Sequence, residues 1–153
     1  MHKYVILIMV ILLCTGCVRQ SNPITKEMTF TGKSLSWRAR FVEKSSVTWT
    51  REPNGRYKFT SYHTTRPTLQ YIGSNPSAVK DLTYRYRWGL SGGSGEVALG
   101  KDGYAGPLGM FYSNGAGFDE DSIIKMTVEW NGKQEQFVLK LSDKKQWGQP
   151  VRI

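Results

Sequence analysis

Side chains that switch between apolar and polar at every second residue constrain this chain more than any other feature. Trp37, Ala39 and Phe41 alternate with Arg38, Arg40 and Val42. Leu82, Tyr84, Tyr86 and Trp88 alternate with Thr83, Arg85 and Arg87, and Ile124, Met126, Val128 and Trp130 with Lys125, Thr127 and Glu129. Tyr57, Phe59 and Ser61 against Lys58, Thr60 and Tyr62 repeat the pattern, and Phe137, Val138, Leu139 and Leu141 close the series. A backbone that sends successive side chains to opposite faces is an extended strand, and a sheet with one buried and one wet face reads this way. Turn-formers separate the runs: Pro53-Asn54-Gly55, Ser74-Asn75-Pro76 and Asn131-Gly132. Asn and Gly both accept positive φ, so Asn131-Gly132 between two apolar runs predicts a tight hairpin. No stretch after Glu27 carries a helical stripe. Seven or eight short strands at this spacing predict an all-β fold, an antiparallel β-sandwich, of which the immunoglobulin-like arrangement is one form.

The segment from Gly89 to Gly117 breaks the rhythm. It is Gly-rich and weakly patterned, and one strand, Glu96 to Leu99, is expected to cross it. The rest reads as loop, and long loops often carry function. A length of 153 residues suits one domain, and 39% hydrophobic against 22% charged residues suits a packed chain better than a disordered one.

The amino end has a different composition. Met1-His2-Lys3 is a short positive start, Tyr4 to Cys14 is an unbroken apolar run, and Thr15-Gly16 are small. That order is a secretory signal peptide, and the run is too short for the ~20 residues of a spanning helix. Leu13-Cys14-Thr15-Gly16-Cys17 resembles the lipobox of bacterial lipoprotein precursors, with Cys14 at the position where Leu is usual. Cys14 is a poor acceptor itself, because Leu12 and Leu13 would fill the small positions before it. The resemblance implies that Cys17 receives a diacylglyceryl thioether and becomes the mature amino terminus. That places the chain on the extracytoplasmic face of the cell membrane. The expected division is a signal peptide over 1–16, a lipid-anchored tether over 17–26 and a β-sandwich domain over 27–153. Cys14 and Cys17 are the two cysteines, so the domain is left without a thiol for a disulfide, a metal or catalysis.

Phe30-x-Gly32-x-Ser34-x-x-Trp37, Leu69-x-Tyr71-Ile72-Gly73 and Val128-Glu129-Trp130-Asn131-Gly132-Lys133-x-Glu135-x-Phe137-x-Leu139 form a spaced series. The series is similar to small cell-surface lipoproteins of Bacillus-type Gram-positive bacteria. The resemblance implies an exported, lipid-anchored β domain and no catalytic residue.

Enzyme motifs are weak. Gly89-Leu90-Ser91-Gly92-Gly93 fits Gly-x-Ser-x-Gly, but that motif needs a strand, a strained turn and a helix, and Gly-Ser-Gly follows. His63 is the single histidine beyond the signal, so any Ser–His triad would have to use it. Gly93-x-Gly95-x-x-Ala98 lacks the strand–helix alternation of a dinucleotide fold. Asp119-Glu120-Asp121 lacks the spacing of a calcium loop and reads as a solvated turn. No catalytic residue, metal or cofactor is expected, and an unrecognised hydrolase is the remote alternative.

Charge is more informative. Lys3 is the one acidic or basic residue of formal charge ahead of Cys17, so the excess of 21 Lys and Arg over 12 Asp and Glu stays almost whole on the mature chain. Arg38 and Arg40, Arg56 and Lys58, and Arg85 and Arg87 each sit two apart, a spacing that puts both charges on one strand face. The bland reading is a solvated outer surface. The functional one is a basic face for an anionic cell-envelope polymer, such as teichoic acid, or for lipid headgroups. Nucleic acid is not expected for an exported domain. Tyr84, Tyr86, Trp88, Trp37 and Trp130 read as core. Tyr104, Phe111, Tyr112 and Phe118, in and beside the Gly-rich region, are the expected exposed surface for another exported protein.

Overall fold

The computed structural model describes residues 23–109, 111–113 and 117–148, so the expected signal peptide over 1–16, and Cys17 with most of the expected tether, lie outside the described residues. Three strands come first: β1 (Ile24–Lys33), β2 (Trp37–Arg51) and β3 (Tyr57–Tyr71). A 3₁₀ turn at Pro76–Ala78 leads to β4 (Thr83–Trp88), β5 (Ser91–Glu96), β6 (Tyr104–Ala105) and β7 (Phe111–Ser113). The series ends with β8 (Ile124–Trp130) and β9 (Lys133–Trp147). All are antiparallel, in the order β5-β4-β8-β9-β1-β2-β3-β6, with β7 also pairing with β3. The expectation of an antiparallel all-β fold holds. Its two layers are the halves of one continuous curled sheet, whereas an immunoglobulin domain packs two separate sheets.

β9 makes the curl. Its first half pairs with β8, from Lys133 opposite Trp130 to Leu139 opposite Ile124. Its second half pairs with β1, from Lys140 opposite Thr31 to Trp147 opposite Thr25, with a register shift between Thr29 and Phe30. One strand therefore serves a long layer (β1, β2, β3) and a short layer (β4, β5, β8). At the bend, β1 and β9 run so close that a methyl group on Gly32 would come within 2.8 Å of the Val138 carbonyl carbon. Backbone cannot yield as a flexible side chain does. Gly32→Val is expected to destabilise the domain by about 2–3 kcal/mol, read as a lower urea midpoint. An unchanged midpoint would show that the bend has room.

The alternation seen in the sequence fixes the inward face. Phe30, Trp37, Ala39, Phe41 and Leu69 of the long layer face Tyr86, Ile124, Met126, Val128, Trp130 and Leu139 of the short layer, all buried. Edge-on aromatic pairs lock the layers: Trp37 on Trp130 at 5.4 Å and 75°, and Phe41 on Tyr86 at 4.9 Å and 82°. Such pairs add about 1 kcal/mol each beyond the area they bury. Asn131 and Gly132 both take positive φ, 49° and 71°, and close the expected tight hairpin between β8 and β9.

The strand expected over Glu96 to Leu99 is instead β5, over Ser91–Glu96. Glycine disfavours strands, which is why pattern reading missed it. Here it is required. Gly93 and Gly95 are the cross-strand partners of Tyr86 and Tyr84. A β-carbon on Gly93 would sit 2.6 Å from the Tyr86 hydroxyl, and one on Gly95 3.1 Å from that of Tyr84. The tyrosine rings occupy the space that side chains of β5 would need. Gly89-Leu90 is the two-residue turn into β5, so the Gly-x-Ser-x-Gly run forms a hairpin and Ser91 begins a strand.

β2 and β3, 15 residues each, outrun their neighbours. Along β2, β1 pairs as far as Val47, opposite Ile24, while β3 continues to Tyr57 opposite Arg51. The limbs 48–51 and 57–60, closed by the turn at Pro53-Asn54-Gly55, form a two-stranded overhang.

Candidate functional site

Register places cations of distant sequence positions side by side. On the outward face of the long layer, Lys33 and Arg38 are cross-strand partners. One row further, Arg40 lies between Thr68 and Thr31, and Thr31 lies opposite Lys140. In the next row Arg66 faces Val42. Directly opposed residues share a face with β-carbons about 5 Å apart, so these five exposed cations form one patch. Lys44, also on this face, is paired with Glu27 at 2.9 Å. Lys33, Arg38, Arg40, Arg66 and Lys140 have no ion-pair partner among the described residues.

A shallow open groove of about 610 Å³ crosses the patch, lined by Glu27, Arg40, Val42, Lys44, Arg66, Thr68 and Pro107. Its rim has a clear origin. β6 pairs with Leu69 and Gln70, and β7 with residues from His63 to Thr65. The chain between them passes beside Pro67 and Thr68, where Leu108 N–H donates to the Pro67 carbonyl at 2.8 Å. That passage stands Pro107 at the groove's edge. A groove at the other end of the sheet, of about 410 Å³, is lined by Asp81, Leu82, Thr83, Glu96, Val97 and Ala98. It holds acids and no cation, so it does not suit an anion.

Of the six basic residues expected from sequence, the structure brings Arg38 and Arg40 together with Lys33, Arg66 and Lys140. Arg85 and Arg87 point outward from the short layer, on the opposite side, with Lys125 opposite Arg87. Arg56 lies in the overhang turn and Lys58 on its outward face. The six therefore do not share one face. Arg66 was legible in principle, because Thr64, Arg66, Thr68 and Gln70 alternate with Thr65, Pro67 and Leu69. Lys140 was not, since its neighbour in space comes from the other end of the chain.

The expected aromatic surface divides. Tyr104 is exposed on β6. Phe111 and Tyr112 lie on β7 opposite Thr65 and Thr64, and their side chains fall outside the described residues. Phe118 is buried, which corrects its assignment to an exposed surface. It packs between Phe30 at 5.2 Å and Trp88 at 4.7 Å and closes the core at its open end. Gly-rich neighbours suggested a solvent loop, but a large ring finds its place by burial.

Phe118 is held by a group the sequence did not single out. Glu43 continues the inward series of Trp37, Ala39 and Phe41, and its side chain is only 1% exposed. Its Oε1 lies 2.8 Å from His63 Nδ1. Phe118 N–H donates to both carboxylate oxygens, at 3.1 and 2.9 Å. Burial raises the carboxyl above its ordinary value, outweighing the His63 hydrogen bond, the Phe118 N–H and the charges of His63 and Lys26, which lower it. Gly117 lies against this pair, and any β-carbon there would run into the Glu43 carboxylate and the His63 ring. The arrangement clasps the chain at 117–118 across the end of the core. Two residues on, Glu120 bridges Lys144 at 2.6 Å and Lys26 at 3.6 Å. Asp119 and Ser122 cap their own turn, with Ser122 Oγ donating to Asp119 Oδ1 at 2.6 Å. Among the described residues no three His, Cys, Asp or Glu side chains converge as metal ligands.

Comparison of the chain with protein-family models, with curated proteins and with solved structures gives no match.

Proposed function

We propose that this chain is a lipid-anchored extracytoplasmic binding module whose basic outer face engages an anionic polymer of the cell envelope. The observation that carries the reading is the groove on the long layer, where Arg40 and Arg66 stand without an ion-pair partner among the described residues. Guanidinium groups present forked donors that match phosphate and carboxylate oxygens, and a row of them suits a repeating anion better than a single one. The signal and lipobox pattern through Cys17 supplies the membrane attachment, and the short polar tether keeps the domain near anionic envelope material. A second reading, contact with another exported protein, is favoured by the exposed ring of Tyr104 on the two-residue edge strand β6.

The test is titration with poly(glycerol phosphate) at several salt concentrations. Each lost cation contact near such a surface removes about 1 kcal/mol, so Arg40→Glu with Arg66→Glu is expected to weaken binding roughly 30-fold. The salt dependence should become shallower with it. Arg85→Glu with Arg87→Glu, on the opposite side, should leave affinity nearly unchanged. Equal losses in the two double variants would mean that net charge alone attracts the polymer. Binding that survives high salt and fails in Tyr104→Ala would favour the protein partner.

A further inference from the structure

β5 is the outer margin of the short layer. Among the described residues it pairs with β4 alone, from Ser91 to Glu96. The far end of the sheet is blunt by contrast, with β6 of two residues and Pro107 close behind it. β5 has neither the lysine nor the proline with which edges commonly resist pairing. The phase of its backbone is fixed, because Val97 N–H donates to the Leu82 carbonyl at 3.0 Å. Bonding alternates along an antiparallel strand. Ser91, Gly93 and Gly95 therefore bond toward β4, while Gly92, Ser94 and Glu96 turn N–H and carbonyl to the open edge.

The outward face carries opposite charge at its two ends. Glu96 lies opposite Thr83 and Thr83 opposite Glu129, which makes an acidic row. Gly92 lies opposite Arg87 and Arg87 opposite Lys125, which makes a basic one. Neither Arg87 nor Glu96 has an ion-pair partner among the described residues. Lys125 repels Arg87 from behind, and Arg87 leans across Gly92 toward the edge: a β-carbon on Gly92 would lie 3.2 Å from Arg87 Cγ. On the inward face the Tyr86 and Tyr84 rings cover Gly93 and Gly95, which project nothing of their own.

We propose that β5 pairs antiparallel with β5 of a second copy of this chain, about a two-fold axis at Ser94, and joins two short layers into one sheet. A two-fold reverses the strand, so the acidic row of each copy runs on into the basic row of the other. Glu96 comes opposite Gly92 of the second copy. Arg87 of that copy stands one strand further, about 10 Å away at two strand spacings. The two long side chains close that gap across the glycine. The outward-turned groups of Gly92, Ser94 and Glu96 supply about six hydrogen bonds across the axis. A register centred on Gly93 would instead set Arg87 beside Arg85 of the other copy, and like charges oppose it. Six residues bury too little for a permanent dimer, so the association is weak and rises with concentration. The outward face of the long layer stays free, and failure of this pairing would leave the polymer reading intact.

The test is sedimentation equilibrium of the full chain in a density-matched nonionic detergent, which weighs the protein alone. The mass is expected to climb from one chain toward two, with half-association in the tens of micromolar. Ser94→Pro removes an N–H that β4 does not use, so the urea midpoint should hold while association weakens at least ~10-fold. Arg87→Glu and Glu96→Arg should each weaken it about 10-fold, and the joint variant, with the charges exchanged, should recover it. A single-chain mass at every concentration would overturn the pairing. So would association that Ser94→Pro leaves intact, or a joint variant no better than its singles. A chain that stays single, yet protects the Gly92, Ser94 and Glu96 amides from exchange when an extended peptide is added, would overturn the second copy as occupant in favour of the peptide.

Discussion

Replacing Glu43 by alanine is expected to destabilise the domain by about 3 kcal/mol, roughly a 10 °C fall in melting temperature. The size follows from what is left behind. The carboxyl group is almost wholly buried, accepts from Phe118 N–H through both oxygens and shares a hydrogen bond with His63 Nδ1. Removing it strands a buried N–H and an imidazole, and a buried group without its partner costs its full desolvation. The loss should extend beyond the site, because Phe118 packs against both Phe30 and Trp88. Glu43→Gln keeps the shape and an acceptor and should cost far less. A loss below about 1 kcal/mol in Glu43→Ala would mean that the clasp is ornamental to the fold.

The same carboxyl sets a pH dependence of definite sign. Its folded value is raised above the ordinary 4.5 by burial. A group that binds its proton more tightly in the native state stabilises fully below its unfolded value and loses that contribution as pH rises through the folded one. The stability of the parent relative to Glu43→Gln should therefore fall as pH climbs above about 4.5 and then level off. A difference that grows over the same range would reverse the assignment and make the charged form the one the fold prefers.

Replacing Cys17 by alanine is expected to have the largest effect on placement. Each buried methylene contributes about 0.8 kcal/mol, so two or three acyl chains hold firmly where none would. Metabolic labelling with a radioactive fatty acid should mark the parent and leave Cys17→Ala blank, with the variant released to the medium or retained as an uncleaved precursor. Acyl label persisting in Cys17→Ala would falsify the anchor, and mass spectrometry would then identify the true site. The two substitutions separate cleanly, because Glu43→Ala acts on the folded body and Cys17→Ala on the proposed attachment.

Much of the body was legible in the sequence. The runs at Trp37–Phe41 and Ile124–Trp130 bury the residues that alternation selects, and Asn131-Gly132 turns as its chemistry requires. The misreadings share a cause, which is that the deciding neighbour lies on another element of the fold. β5 looked like loop because its glycines answer to Tyr84 and Tyr86 across the strand boundary. Glu43 drew no notice in the sequence, although it stands in phase with Phe41, because its partners sit on β3 and beyond β7. Phe118 carried no local sign of burial at all. The basic patch was half visible: Arg38 and Arg40 declare themselves by spacing, while Lys140 joins them only through the pairing of β9 with β1.

That pairing bears on how the protein is made. Thr25 of the first strand waits for Trp147 of the last, and the two layers acquire their shared member only when β9 is in place. Long-range pairings of this kind are slow, because chain entropy must be surrendered before the contact rewards it. A polypeptide emerging amino end first thus spends its synthesis with β1 open along one edge, a ready template for a neighbouring copy. Loss of residues 140–147 would make that vulnerable interval permanent.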